Sequence, residues 1–246
     1  MSLTPPLKYD LPQLKLYAIL KPVVYDFHTH SSLSDGVLSP LELVSRAVQP
    51  PHSYRAIAIT DHVGVGYLER VIAEITKDCA LAQSSWNITA IPGVELTYVP
   101  AASIAEVARQ AKELGAKLVI AHGETISEPV EQGTNLAAVK SPHVDLLAHP
   151  GLLSLKEAKT AAENGVFLEI SARKGHSLCN GHIAKIARLT GAKLLLNSDA
   201  HNEHDLLTPS SALTIARGAG LDEPEINQLL EVNPRALLQK LCLSLP

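Results

Sequence analysis

The chain has 246 residues, 46% hydrophobic and 19% charged, with 11 histidines and a net charge of −4. That length and apolar content suit one globular domain of the size that α/β barrels reach, and the acidic balance without a Lys/Arg run excludes strong attraction for a polyanionic nucleic-acid backbone. No stretch approaches a membrane span and no secretory leader pattern opens the chain, while Cys79, Cys179 and Cys242 are odd in number and widely spaced; the expectation is a cytoplasmic protein with no disulfide framework and no membrane partner.

Residues 1–22 carry Pro5, Pro6, Pro12 and Pro22 and read as an extended N-terminal arm with one short helical turn at 14–19, which leaves 23–246 as the single folded domain. The first strand, 23–27, is short, apolar and β-branched or aromatic, and gives out into His28-Thr29-His30. Side chains alternate along an extended segment, so His28 and His30 share a face, Thr29 turns away, and Asp35 lies in the loop beyond, able to curl back. Ser39-Pro40-Leu41-Glu42 reads as a capping box opening a helix that stops near Pro50-Pro51.

The second strand, 56–60, ends in Asp61-His62, and a glycine-loosened loop leads to a helix over 67–82. The third, 87–92, ends at Gly93-Val94-Glu95 before a second capping box, Ser103-Ile104-Ala105-Glu106. The fourth, 117–121, delivers His122-Gly123-Glu124 ahead of a helix within 128–139, and the fifth, 145–148, delivers His149-Pro150-Gly151. Ser154-Leu155-Lys156-Glu157 caps the next helix, which Asn164-Gly165 ends in the left-handed manner. The sixth strand, 166–170, carries the polar tip Ser171-Ala172-Arg173-Lys174-Gly175-His176, followed by a helix over 180–190. The seventh, 193–196, delivers Asn197-Ser198-Asp199-Ala200-His201, and helices near 205–219 and 224–241 finish the chain. Strand–helix units joined by short connections describe parallel strands with right-handed crossovers, hence a closed or nearly closed α/β barrel, with a doubly wound open sheet as the alternative.

Barrel enzymes place their reactive groups at the C-terminal ends of the strands. Every strand but the sixth ends here in metal-ligand chemistry: His28 and His30, Asp61-His62, Glu95, His122, His149, and Asp199 with His201. Histidines gathered in one barrel mouth would face one another without partners, whereas mixed imidazole and carboxylate donors suit zinc, manganese or iron. A water shared by two such cations loses its proton near neutral pH and becomes an in-line nucleophile toward phosphorus. Asp61 reads as a residue that orients an imidazole rather than as a ligand. Arg173, Lys174 and His176, in the same mouth, read as a phosphate clamp, with a solvated basic turn as the plainer alternative. His52, His143, His182 and His204 are left as structural or surface residues.

His28-Thr29-His30, Ser34-Asp35-Gly36, Thr60-Asp61-His62, Gly93-Val94-Glu95, Ala121-His122-Gly123, Ala148-His149-Pro150 and Ser198-Asp199-Ala200-His201 resemble, in order, the motifs of the PHP (polymerase and histidinol phosphatase) family. The resemblance covers residues 23–201 and implies a distorted seven-stranded (β/α)7 TIM-like barrel with a trinuclear site of two or three divalent ions, zinc first and manganese or iron as alternatives. By that resemblance one metal takes His28, His30, Glu95 and Asp199, a second shares Glu95 and adds His122 and His149, and a third takes Asp35, His62 and His201. Asp35 stands where some members of the family carry histidine. Glu95, Asp199 and His201 are the residues then expected nearest the chemistry. Asn233-Pro234-Arg235 resembles the start of a closing helix in related barrels. The implied activity is hydrolysis of a small phosphomonoester such as histidinol phosphate by a metal-bridged hydroxide. Alternatives are a phosphodiesterase or nuclease on short nucleotides, an amidohydrolase-like enzyme, and a non-catalytic binding subunit like the ribonuclease P protein that shares the barrel.

Overall fold

A computed structural model describes residues 23–246; the proposed N-terminal arm and its helical turn lie outside the described residues. Strands β1 (Val24–Asp26), β2 (Tyr54–Ile59), β4 (Thr89–Leu96), β5 (Leu118–His122), β6 (Leu146–Ala148), β7 (Phe167–Ser171) and β8 (Leu194–Asn197) pair in parallel in chain order, and a two-residue strand, β3 (His62–Val63), pairs with the end of β4. A doubly wound sheet would reverse direction at a switch point, and this order never does. Beyond the ends of β1 and β8 the chain closes on itself: His30 N–H donates to Ala200 O at 2.8 Å and Asp199 N–H to His28 O at 2.9 Å. The α/β TIM-like barrel is thus shut at its mouth by the very residues the motifs mark.

Alternation along the strands builds two cores. Ala56, Ala58, Leu118, Ile120, Leu146, Phe167 and Leu195 fill the barrel interior, while Ile57, Ile59, Val119, Leu147 and Leu168 pack outward under the helices. Those helices are α1 (Pro40–Val48), α2 (Leu68–Ser85), α3 (Ile104–Glu113), α4 (Thr134–Lys140), α5 (Leu155–Asn164), α6 (Asn180–Thr190), α7 (Pro209–Gly218), α8 (Glu223–Asn227) and α9 (Asn233–Lys240). Helix α9 is the closing helix that Asn233-Pro234-Arg235 foreshadowed. Its Leu237 and Leu238 join the interior core at the floor of the barrel, and Asn233 Nδ2 donates to Leu194 O at 2.8 Å.

Of the three expected capping boxes, one forms in full, one in half and one not at all. Ser154 and Glu157 form the full reciprocal box, and Gly165 ends α5 at φ 66°. Ser39 accepts from Glu42 N–H, although the Glu42 carboxylate turns to Arg46 instead of back to the cap. The Ser103 box does not form: a 3₁₀ turn over Ala101–Ser103 feeds straight into α3, so Ser103 already has helical backbone angles and Glu106 pairs with Arg109. Among the described residues no helix is long and apolar enough to cross a membrane.

Candidate metal centre

The centre begins where β1 runs out. His28 and His30 are fully buried, and the loop after them folds back at Gly36, where a Cβ would come within 2.3 Å of His30 O. Only glycine tolerates that approach. Ser31 N–H and Oγ and Ser34 Oγ donate to the Asp61 carboxylate at 2.8, 2.7 and 2.6 Å. Asp61 therefore pins the loop that follows His30; no imidazole is among its hydrogen-bond partners in the described residues. The pinned loop brings Asp35 Oδ1 to 3.2 Å from His201 Nε2, 3.6 Å from His62 Nε2 and 4.0 Å from His30 Nδ1.

Glu95, fully buried at the end of β4, lies at the middle. Its Oε2 is 3.4 Å from His28 Nε2 and 3.7 Å from His30 Nε2, and its Oε1 is 3.6 Å from His149 Nε2. Asp199 Oδ1 lies 3.2 Å from His30 Nε2, and its Oδ2 is 3.9 Å from His149 Nε2. The nine residues singled out in the sequence as ligands all come together. Their donor atoms form overlapping groups: His30, Asp35, His62 and His201; His28, His149 and Asp199; His28, His30 and Glu95; Glu95, His122 and His149.

Electrostatics mark the cluster as built for positive charge. Burial alone would raise Glu95, but the imidazoles of His28, His62 and His149 outweigh it and hold that carboxyl well below the usual range. Asp199 is likewise held low against its own burial by His28, His30 and His149. His30, surrounded by other imidazoles, is pushed down to about 4, chiefly by burial. Against burial, the surrounding carboxylates raise His28, His62 and His149, so a divalent cation taking this place would displace imidazole protons and leave the carboxylates ionised. His28 Nε2, both ring nitrogens of His30, both oxygens of Glu95 and His149 Nδ1 are buried without a well-aligned hydrogen bond, although His62 Nδ1 lies 2.7 Å from Glu95 Oε2 and His30 Nε2 3.2 Å from Asp199 Oδ1. Buried polar atoms are rarely left so, and this donor set fits divalent cations held by imidazole and carboxylate.

Three residues that sequence reasoning passed over support the ligands. Glu169 on β7 accepts from His28 Nδ1 at 2.9 Å, both side chains fully buried. Asp26 accepts from Tyr54 Oη at 2.9 Å and Ser198 N–H at 3.1 Å, tying β1 to β2 and to the β8 tip; burial raises its carboxyl to about 6. Glu128, in the loop after β5, places Oε2 3.1 Å from His122 Nε2 and Oε1 3.6 Å from His176 Nε2. The one signal for the first two is a carboxylate inside an otherwise apolar strand.

Above the cluster opens a cavity of about 400 Å³ lined by His62, Tyr67, Tyr98, His122, Arg173 and His176 among others. Arg173 donates from Nη1 to Asp199 O at 3.1 Å and lies 2.6 Å from His201 Nδ1. His176 stacks on His149 with ring centroids 4.0 Å apart, and burial pushes it down to about 3. Lys174 parts from its neighbours: it is exposed and faces an adjoining groove with Asn202, His204 and Thr208 instead of the cavity. Strain gathers at this mouth, because Tyr98, His149 and Asp199 have left-handed backbones at φ 54°, 26° and 53°.

No known protein-family profile matches the chain. An uncharacterized protein of Methanocaldococcus jannaschii is 44% identical over 218 residues, 88% of this chain and 99% of that protein. Ribonuclease P protein component 3 of Methanosarcina mazei is 27% identical over 89% of this chain and 90% of its own length. A Thermoanaerobacter protein named "probable phosphatase" is 34% identical over 110 residues, 39% of this chain and 45% of that protein. Among solved structures, a Listeria monocytogenes protein provisionally described as a histidinol phosphatase superposes with TM-score 0.52 at 10% identity, over 74% of this chain and 97% of that one, a likeness of fold. With its motifs in order from His28 to His201 and converging in one barrel mouth, the chain belongs to the PHP-like family.

Proposed function

We propose that this protein is a metal-dependent phosphoesterase hydrolysing a small phosphomonoester, histidinol phosphate-like in size, and that residues 23–246 act as one catalytic domain in the cytoplasm. The observation that carries the reading is the convergence of nine imidazole and carboxylate residues, most of them buried, with their donor atoms in overlapping groups. Glu95 and Asp199 each present two oxygens to different imidazoles, the arrangement of bridging ligands. His28, His30, His122 and His149 complete one end of the centre, and Asp35, His62 and His201 the other. Two or three divalent ions bound there, zinc before manganese or iron, supply an activated water and neutralise charge on the phosphoryl oxygens. The protein's own part is to hold these donors rigid, exclude bulk water beneath the cavity, and present the Arg173 guanidinium to a phosphate oxygen. The same donors serve a diester, so a phosphodiesterase acting on short nucleotides is the nearest variant of this reading.

A second reading has one specific observation behind it: the Methanosarcina mazei ribonuclease P component 3 aligns over 89% of this chain. A non-catalytic subunit needs no reactive centre, and the intact donor set favours the enzyme. Protein reconstituted with zinc or manganese should hydrolyse phosphomonoesters, lose that activity to chelator, and carry two or three ions per chain by elemental analysis. Absence of bound metal together with no turnover of any mono- or diester sinks the enzymatic reading and leaves the subunit.

A further inference from the structure

We infer that Glu128, in the loop between β5 and α4, is a further metal ligand: it supplies a fourth donor to the ion held by Glu95, His122 and His149, and a phosphate entering the cavity takes its place. This rests on the phosphoesterase reading for the ions and the phosphate, and adds a residue to the centre.

Glu95, His122 and His149 offer three donors, one fewer than the group of His30, Asp35, His62 and His201, and a tetrahedral cation accepts a fourth. Glu128 Oε2 lies 3.1 Å from His122 Nε2, and its Oε1 lies 3.6 Å from His176 Nε2. His122 and His176 flank His149, with ring centroids 4.5 and 4.0 Å from it, so Glu128 spans the two neighbours of a ligand. Proton placement decides what the 3.1 Å contact is. His122 Nδ1 lies 3.2 Å from Gly123 O, which can only accept, so the ring proton belongs on Nδ1. A ligating imidazole is neutral and holds one proton, so Nε2 meets the carboxylate lone pair to lone pair. Two such atoms repel unless a cation stands between them, and donors about 2.0–2.1 Å from one tetrahedral zinc are roughly 3.3 Å apart. Among the described residues no lysine or arginine pairs with this carboxylate. The loop around it is nevertheless fixed: Glu124 Oε1 accepts from Gly133 and Asn135 N–H at 3.0 and 2.9 Å, and Glu131 Oε2 from Ala101 N–H at 3.1 Å. The Glu128 side chain is 40% exposed on the cavity wall, against 0% for Glu95, so of the two carboxylates at this ion it is the one an incoming anion meets and can displace.

The test titrates cobalt(II) and zinc into wild type, Glu128→Ala, Glu128→Gln and, as a control in the same loop, Glu131→Gln, with circular dichroism to confirm folding. Affinity is read by chelator competition and coordination by the visible absorption of cobalt. Loss of a hydrogen-bond partner behind a ligand already costs about tenfold to a hundredfold in metal affinity, so loss of a ligand should weaken one ion by roughly tenfold or more. Both Glu128 variants should show that loss and shift the cobalt bands, while Glu131→Gln matches wild type. Inorganic phosphate is then titrated into the metal-saturated proteins. A carboxylate that holds the position about nine-tenths of the time weakens a competitor about tenfold, so Glu128→Ala should bind phosphate roughly tenfold more tightly than wild type. Wild-type metal affinity and cobalt bands in folded Glu128→Ala, or an equal loss in Glu131→Gln, overturns the ligand; equal or weaker phosphate binding overturns the displacement. Failure of the phosphoesterase reading shows separately, as wild-type protein that binds its ions and turns over no phosphoester, whereas wild type that takes up no divalent ion overturns both.

Discussion

Replacing Glu169 should weaken metal binding in the barrel mouth without unfolding the barrel. Its Oε2 accepts a hydrogen bond from His28 Nδ1 at 2.9 Å with both side chains fully buried. That bond fixes the tautomer, so His28 Nε2, 3.4 Å from Glu95 Oε2, faces the centre with its lone pair. Alanine at this position leaves Nδ1 without an acceptor and frees the proton to move to the ligating nitrogen. A hydrogen bond to a charged group is worth about 1.5–3 kcal/mol, and each 1.4 kcal/mol is a factor of ten, so zinc affinity should fall roughly tenfold to a hundredfold. Glu169→Gln keeps an acceptor in its amide oxygen but loses the charge, and should fall between. The assay is zinc competition against a chromophoric chelator, with elemental analysis after dialysis and circular dichroism to confirm folding. Folded Glu169→Ala and Glu169→Gln variants that both keep wild-type affinity and stoichiometry would refute the argument.

Glu95→Gln should reduce metal content at more than one position and cost far more turnover than Asp35→Asn, because Glu95 is buried between several imidazoles while the Asp35 side chain is 55% exposed; equal losses by elemental analysis and kinetics would contradict it. Arg173→Lys should lower kcat/KM for a monoester roughly tenfold to a hundredfold and act less on a diester, which offers fewer free oxygens, whereas Lys174→Ala in the adjoining groove should change either by little more than a salt-sensitive factor. Gly36→Ala should force the loop off His30 O, lowering stability by about 1–3 kcal/mol in urea melts and cutting metal content; a variant with wild-type stability and stoichiometry would disprove the close approach.

The cluster of imidazoles and carboxylates was readable in the chain because a parallel barrel puts the C-terminal end of every strand at one mouth, so residues at strand tips meet whatever their separation in sequence. Apolar runs giving out into His28-Thr29-His30, Glu95, His122, His149 and Asp199 carried that information locally. So did the cap at Ser154 and the glycine stop at Gly165, whose chemistry spans only a few residues. The Ser103 box had the same residue pattern and failed, since the preceding 3₁₀ turn left no non-helical residue to act as cap.

Tertiary structure alone decided the rest, and the reason is that it depends on which faces meet. Glu169 lies two residues beyond Phe167 on the inward face of β7, and nothing in an apolar strand says that His28, 141 positions earlier, waits above it. Asp61 sits beside His62 in the chain yet serves Ser31 and Ser34, because the loop folded back at Gly36 offers it hydroxyl and amide donors. Arg173 and Lys174 are adjacent, yet Arg173 reaches the cavity and Asp199 O while Lys174 lines only the next groove. The sequence by itself determined which donors stand at the strand tips; closure of β1 against β8 decided which of them share a carboxylate, because that contact sets the few ångströms between His30 and Asp199.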